Sequence, residues 1–409
     1  MNDRIGIHVL GRGIGECIIL EMPNQQFGII DCYSKELSVE ENSVVRFLKD
    51  TLQAKNLDFV AITHPHEDHI RGMRCIFEAY KGNIAEFWGY FNYSLLDLYY
   101  YYKNLKNRRS PSEYEHDDQP GTIYKEILAT IDAVHPKKTS DKIPNIRMFT
   151  KKESFTNAVG IKFHLLSPSD KVLSKLACSF SQATQGNGCL PEYNTLCPVI
   201  VIDYGKTRII LGADVELTSW KELISDNDEL FKEGRCHLMK ISHHGSANGF
   251  NLVLHKPLLS KENTIAVLTP FLRSKLPDHN TLCELYRCVN TIYSTGQFHY
   301  QCSQNNILNR CWTKLLEERR EWWGVIKCEL RPKNLIIDEL DCLPRELADY
   351  LDKYPELKTD IREDLISELP FANVSNPEDE SRMSFYFDNQ GQLVDTEKGK
   401  FAWEIPNNI

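Results

Sequence analysis

The amino-acid sequence predicts an α/β chain built as an αββα sandwich, with two sheets face to face and helices outside, followed by a C-terminal α+β appendage. Three observations predict it. Strand-sized apolar runs recur between helix-periodic segments from residue 4 to about residue 298. Three of those runs end in clusters of His and Asp. Near residue 300 the pattern gives way to aromatic and acidic stretches. This places one large domain over residues 1–300 and the appendage over residues 301–409, a division that suits a chain of 409 residues.

The elements follow in order. Residues 4–10 read as a strand, Gly11, Gly13 and Gly15 as a turn, and Cys17–Leu20 and Phe27–Asp31 as two further strands joined at Asn24-Gln25. Val44, Val45, Phe47, Leu48 and Leu52 give residues 39–54 a helical period. Leu57–Thr63 is a continuous apolar run, as a buried strand requires. From 76 to 135 the pattern is mixed. A tract rich in Tyr and Leu, Leu95–Tyr102, leads into Lys103, Lys106, Arg108 and Arg109. Pro111–Gln119 reads as a polar loop and Ile123–Val134 as a helix. Strands are expected at Gly160–Leu166, Pro198–Asp203, Thr207–Leu211, Leu238–Ser242, Thr264–Thr269 and Thr291–Thr295, with a helix over Asp278–Val289. In the appendage, Cys311–Trp323 and Leu343–Leu369 read as helices, and Met383–Asp388 with Gln392–Thr396 as a hairpin turning at Asn389-Gln390-Gly391.

Composition narrows the function classes. Hydrophobic residues at 42% allow a sizeable core. A net charge of -9 argues against a uniformly cationic nucleic-acid-binding surface and leaves room for a local basic groove. The start carries no apolar leader, and no run approaches the roughly 18 apolar residues of a membrane helix. The expectation is a soluble, cytoplasmic protein with no membrane partner. The 13 cysteines include no Cys-x-x-Cys pair and read as reduced, packed thiols. The spacing of Cys283, Cys288, Cys302 and Cys311 is unlike that of zinc fingers.

The informative segment is Thr63-His64-Pro65-His66-Glu67-Asp68-His69, directly after an apolar strand. At an extended strand end, residues i and i+2 point the same way, so His64 and His66 can grip one cation. Asp68 and His69, where the chain turns towards a helix, can face a second. Imidazole with carboxylate suits zinc, manganese or iron. Four unrelated loop residues would be a poor account of three histidines and an aspartate in six positions. Two more strand ends add to the set. Arg208–Asp214 ends in Asp214, which can bridge two cations or, alternatively, cap a helix over Val215–Ile224. Lys240–Ser246 carries His243 and His244, of which one can be a ligand and the other a supporting or substrate-facing group.

These segments resemble the metallo-β-lactamase superfamily, with its His-x-His-x-Asp-His motif, and most of all the hydrolase domain of competence (ComEC-type) DNA-uptake proteins. The resemblance spans roughly residues 4–298. It includes His8–Cys17 with its glycine turn, Ile29-Ile30-Asp31-Cys32, Asn194-Thr195, Gly212-Ala213-Asp214, His243-His244-Gly245-Ser246, Leu276-Pro277-Asp278-His279 and Tyr293-Ser294-Thr295. Three departures stand out. No further metal histidine stands at the expected place, since only His135 and His164 are available and His164 falls in a strand pattern. The usual Gly/Thr-Gly-Asp is Gly-Ala-Asp. The competence proteins are membrane channels, whereas no spans are found here.

The resemblance implies a metal-dependent hydrolase with two zinc or manganese ions, the first held incompletely or with water. Such a centre makes hydroxide available near neutral pH. His64, His66, Asp68, His69, Asp214 and His243 are the implied metal ligands, with Asp214 bridging and His243 completing the second site. Asp68 would also orient the nucleophile, and His244 and His279 would contact a scissile phosphate or protonate the leaving group. Phosphodiester hydrolysis of DNA or RNA is the implied reaction. The basic, tyrosine-rich strip at 99–109 can serve single-stranded nucleic acid or simply form a solvated helix face. Two alternatives stay open: a small-molecule hydrolase acting on a cyclic nucleotide, phosphoester or lactone, which the acidic balance suits, and a partner-binding subunit docking through residues 301–409.

Overall fold

The computed structural model describes residues 3–11, 13–89, 120–134, 142–149, 153–166, 193–232, 236–271, 274, 276–296, 381–400 and 402–405. The basic strip at 99–109, His135, Cys302, Cys311 and the helices expected at 311–323 and 343–369 lie outside them.

Among the described residues, two eight-stranded sheets form the centre. The first takes β1 (Arg4–Leu10), β2 (Cys17–Met22), β3 (Gln26–Ile30), β4 (Leu57–Ala61), β5 (Ile84–Gly89) and β6 (Asn145–Met148). The second takes β7 (Glu153–Thr156), β8 (Lys162–Leu166), β9 (Val199–Tyr204), β10 (Thr207–Leu211), β11 (Leu238–Lys240), β12 (Ile265–Leu268) and β13 (Thr291–Ser294). Each sheet runs antiparallel at first and then parallel, through β3 to β6 and through β10 to β13. The two halves thus repeat one logic, as the strand and helix order predicts.

The remaining strands correct the expected domain boundary. β14 (Arg382–Asp388) pairs antiparallel with β1, and β15 (Leu393–Lys398) pairs with β14. β16 (Trp403–Glu404) pairs with β13 in the other sheet. The hairpin is where the sequence places it, but residues 382–405 belong to the sandwich and not to an appendage that begins at 301. The reason is burial: Met383, Phe385 and Phe387 fill the core between the sheets, and each is essentially inaccessible. On the opposite face of β1, His8 Nδ1 meets Ser384 Oγ at 2.9 Å, which fixes the register.

Alternation explains the layers. On β9, Ile200 and Ile202 face the first sheet while Val199 and Val201 face the outer helices; on β10, Ile209 and Leu211 face in while Ile210 faces out. A continuous apolar run is what a strand covered on both sides needs. The outer layer on that side uses Trp220 and Leu223 of the helix Leu217–Asp226, and Leu282 and Leu285 of the helix His279–Cys288. On the other side, the helices Ser43–Arg46, Met73–Ala79 and Pro120–Val134 add Val44, Val45, Ile76 and Ile127 to the core. Asn42 caps the first of these, its Oδ1 accepting from the Val45 amide at 3.0 Å. Burying one such aliphatic side chain contributes about 1.5–3 kcal/mol. Among the described residues, no helix is long and apolar enough to cross a membrane.

Candidate metal centre

The ends of β3, β4, β10, β11 and β12 open onto one place. The chain leaves three of these strands through left-handed backbone at non-glycine residues: Asp31 (φ 59°), Ala213 (φ 40°) and the pair His243 (φ 50°) and His244 (φ 53°). Such conformations cost about 1–3 kcal/mol each and mark places where direction matters more than stability. Two glycines permit the close packing. A Cβ on Gly15 would lie 2.6 Å from the Asp68 carbonyl oxygen, and one on Gly212 would lie 2.1 Å from Ser242 Oγ.

Asp214 does not cap a helix. The following helix begins at Leu217 with Glu216 in the N-cap position, which leaves the Asp214 carboxylate, 2% exposed, to face the strand ends. Around it stand two donor groups. In the inner one, His69 Nε2 lies 3.6 Å from Asp68 Oδ2 and 3.4 Å from Asp214 Oδ1. His244 Nε2 lies 3.2 Å from Asp68 Oδ2 and 3.8 Å from Asp214 Oδ2. In the outer one, His64 Nε2 and His66 Nδ1 converge at 3.0 Å, with an Asp214 oxygen within 4.8 Å of both. The Asp214 carboxylate is shared by the two groups.

These donors fit cations. A tetrahedral zinc with bonds near 2.0–2.1 Å spaces its ligands by about 3.3 Å, and the inner separations scatter around that value. His69 Nε2 and Asp214 Oδ1 are buried without a hydrogen bond of normal geometry, although they face one another. The other side of each ring is occupied. Asp31 Oδ2 accepts from His69 Nδ1 at 2.7 Å and from Thr63 Oγ1 at 2.6 Å. Thr63 Oγ1 meets His64 Nδ1 at 3.1 Å, and the Thr269 carbonyl accepts from His244 Nδ1 at 3.0 Å. With Nδ1 protonated in this way, the Nε2 lone pairs of His64, His69 and His244 are directed into the site.

The electrostatics point the same way. Burial opposes ionisation of Asp68 and Asp214, yet the His69 charge and contacts from His244 hold both carboxyls below the ordinary range, Asp214 far below it. Burial likewise disfavours the charged rings, but Asp214 and Asp68 raise His69 well above its ordinary value, and Asp214 with Asp68 raises His244. Burial pushes His64 and His66 down, so both are neutral donors. The inner carboxylates demand positive charge, and a divalent cation can meet that demand in place of protons.

The structure separates the two adjacent histidines, of which the resemblance implies His243 as the ligand. His244, 1% exposed, stands in the inner group. His243 stands outside it at the rim, its side chain 21% exposed, with Nδ1 3.8 Å from Glu216 Oε1. His243 Nε2 accepts from Asn194 Nδ2 at 3.3 Å, and Asn194 Oδ1 is buried without a hydrogen-bond partner. Asn194 therefore presents a buried, unpartnered oxygen beside His243 at the rim. His164 lies away from the site, between Ser154 and Asp203 on the sheet. His279 opens the helix His279–Cys288, and its side chain lies outside the described set. Sequence reasoning gave no role to Asn194, Asp31, Thr63, Glu16, Thr269 or Lys240; their positions at strand ends beside the motifs were the available signal.

No protein-family description and no curated protein matches the chain. Solved structures do show likeness. The metallo-beta-lactamase fold protein YhfI from Bacillus subtilis is 12% identical, with 71% of this chain and 95% of that chain covered and a TM-score of 0.38. A diphosphatase from the PhnP family is 11% identical, with 70% and 94% covered and a TM-score of 0.36. Zn(2+)-bound PqqB from Methylobacterium extorquens is 8% identical, with 58% and 72% covered and a TM-score of 0.31. By its own sheet order and shared core the chain is an αββα sandwich, and its strand ends carry a candidate site for divalent metal.

Proposed function

We propose that the protein is a metal-dependent hydrolase of the metallo-β-lactamase type, of the ComEC-like branch, that cleaves phosphodiester bonds in DNA or RNA. The observation that carries the hydrolase reading is the Asp214 carboxylate shared between a His64/His66 pair and an Asp68/His69/His244 group. Bound divalent cations supply Lewis acidity and activated water, so no serine or cysteine nucleophile is needed. The chain's own residues do the rest. His64 and His66 would hold one cation, with Asn194 as an oxygen donor. Asp68, His69 and His244 would hold a second, and Asp214 would serve both. Asp31 and Thr63 fix the rings. His243 at the rim takes the substrate-facing role, with His279 as a second candidate proton donor.

Two cations spanned by one carboxylate suit a phosphoryl group, whose non-bridging oxygens need paired positive charge. The net charge of -9 favours a second reading, a small phosphoester or cyclic nucleotide as substrate. Purified protein loaded with zinc or manganese, assayed on single- and double-stranded DNA, RNA and cyclic nucleotides, separates the two. Turnover that a chelator abolishes and Asp68→Ala lacks supports the hydrolase. Full turnover by Asp68→Ala on the same substrate refutes it.

A further inference from the structure

Behind the inner donor group lies a buried ion pair that the hydrolase reading does not use. Glu16 ends the glycine turn after β1 and is 1% exposed; Lys240 ends β11 and is fully buried. The Lys240 Nζ rests directly against Glu16 Oε2. The same oxygen accepts from Thr269 Oγ1 at 2.7 Å and lies 3.7 Å from His244 Nδ1, while Glu16 Oε1 lies 3.9 Å from His69 Nδ1. The Glu16 amide donates to the Asp68 carbonyl at 3.0 Å.

Glu16 thus touches the frame of three inner donors at once, always from the side away from the cation position. It stands on the Nδ1 edges of His69 and His244, whose Nε2 atoms face Asp68 and Asp214. Glu16 lies close enough to His69, Asp214 and His244 to join them in a donor group, but with the Nε2 atoms turned to Asp68 and Asp214 it faces only the Nδ1 edges of the two rings and stands behind the donors. A buried carboxylate–ammonium pair is costly to desolvate, and well-packed neutral side chains often replace one without loss of stability. Stability alone does not explain its presence.

We infer that Glu16 and Lys240 are positioning residues for the inner cation. Glu16 acts through Thr269, whose Oγ1 it binds and whose carbonyl holds the His244 ring, and through its charge 3.7–3.9 Å behind the Nδ1 edges of His244 and His69. Lys240 offsets the Glu16 charge. Without it, Glu16 would add a fourth carboxylate to Asp31, Asp68 and Asp214, and the surplus negative charge would draw the rings off their positions. The inference rests on reading Asp68, His69, Asp214 and His244 as metal donors.

The test uses the full chain and compares wild type, Glu16→Gln and the double variant Glu16→Gln/Lys240→Met. Zinc affinity is measured by competition with a chromophoric chelator, ring geometry by the visible spectrum of the cobalt-loaded protein, and folding by melting of the metal-free protein. The double variant, which leaves no unpaired charge, is expected to melt like wild type yet bind the inner zinc about 10-fold more weakly, with shifted cobalt bands. Glu16→Gln alone leaves an uncompensated ammonium near the cation and is expected to lose about 100-fold. Wild-type affinity and cobalt spectrum in the double variant would overturn the positioning role, and if Glu16→Gln proves too unstable to purify, the double variant decides alone. Equal losses in the two variants would overturn the part given to Lys240. A wild-type protein that binds neither zinc nor cobalt would instead bring down the metal reading itself, and this inference with it.

Discussion

The inward placing of His244 and the rim placing of His243 set different metal losses for their alanine variants. His244→Ala removes a ring that is 1% exposed and whose Nε2 lies 3.2 Å from Asp68 and 3.8 Å from Asp214. His243→Ala removes a ring that is 21% exposed and bonded to Asn194. A structural zinc contributes about 10–16 kcal/mol through four donors, so one donor is worth about 2.5–4 kcal/mol, or roughly 60- to 700-fold in affinity. His244→Ala should therefore lose the inner cation by that factor. His243→Ala should change inner affinity less than about 10-fold, since its effect passes through Asn194 to the outer group. Chelator competition followed by metal analysis of the dialysed proteins measures both. Loss of the inner cation in His243→Ala with retention in His244→Ala would refute the geometry and restore the assignment expected from the sequence.

Asp214→Ala should lower both metal equivalents together, because its carboxylate serves both groups; loss of only one in metal analysis would deny the shared role. Phe385→Ala, at a fully buried position on β14, should cost about 3–5 kcal/mol in denaturant melts, and truncation at residue 300 should yield insoluble protein, since β1 and β13 lose their partners. A soluble, folded truncation would put the tail back outside the sandwich. His255, packed between Trp220 and Phe250, is held by burial at about 4 against an ordinary 6.5. Below about 6.5 the unfolded chain takes up a proton that the folded chain refuses, so stability is full above that pH and falls by about 3 kcal/mol on the way down to about 4. His255→Phe should remove that slope; an unchanged slope in pH-dependent melts would contradict it.

Much of this was legible in the sequence, for physical reasons particular to each element. β2, β4, β9 and β10 announce themselves because strands covered on both faces are largely apolar throughout, and β1 through the alternation of Ile5, Ile7 and Val9. β5 was hidden in a mixed stretch, with Glu86 breaking the run. β6 and β7 are four-residue strands with half-exposed patterns, too short to show a period. At the site, the spacing of His64, His66, Asp68 and His69 after a strand determined that those four side chains would cluster, since strand geometry and the turn into a short helix are local.

What is not local had to wait for the fold. Whether Asp214 capped a helix or faced the site depended on where the helix began, and it begins at Leu217. Which of His243 and His244 turned inward depended on a left-handed pair of residues whose strain only the surrounding packing supports. Asp31, Glu16, Lys240 and Asn194 act through partners distant in the chain, and His8 meets Ser384 across 376 positions. Composition and spacing determine what each strand end carries. The packing of two sheets decides which strand ends meet, because sequence patterns report local periodicity and burial while these contacts are set by long-range pairing.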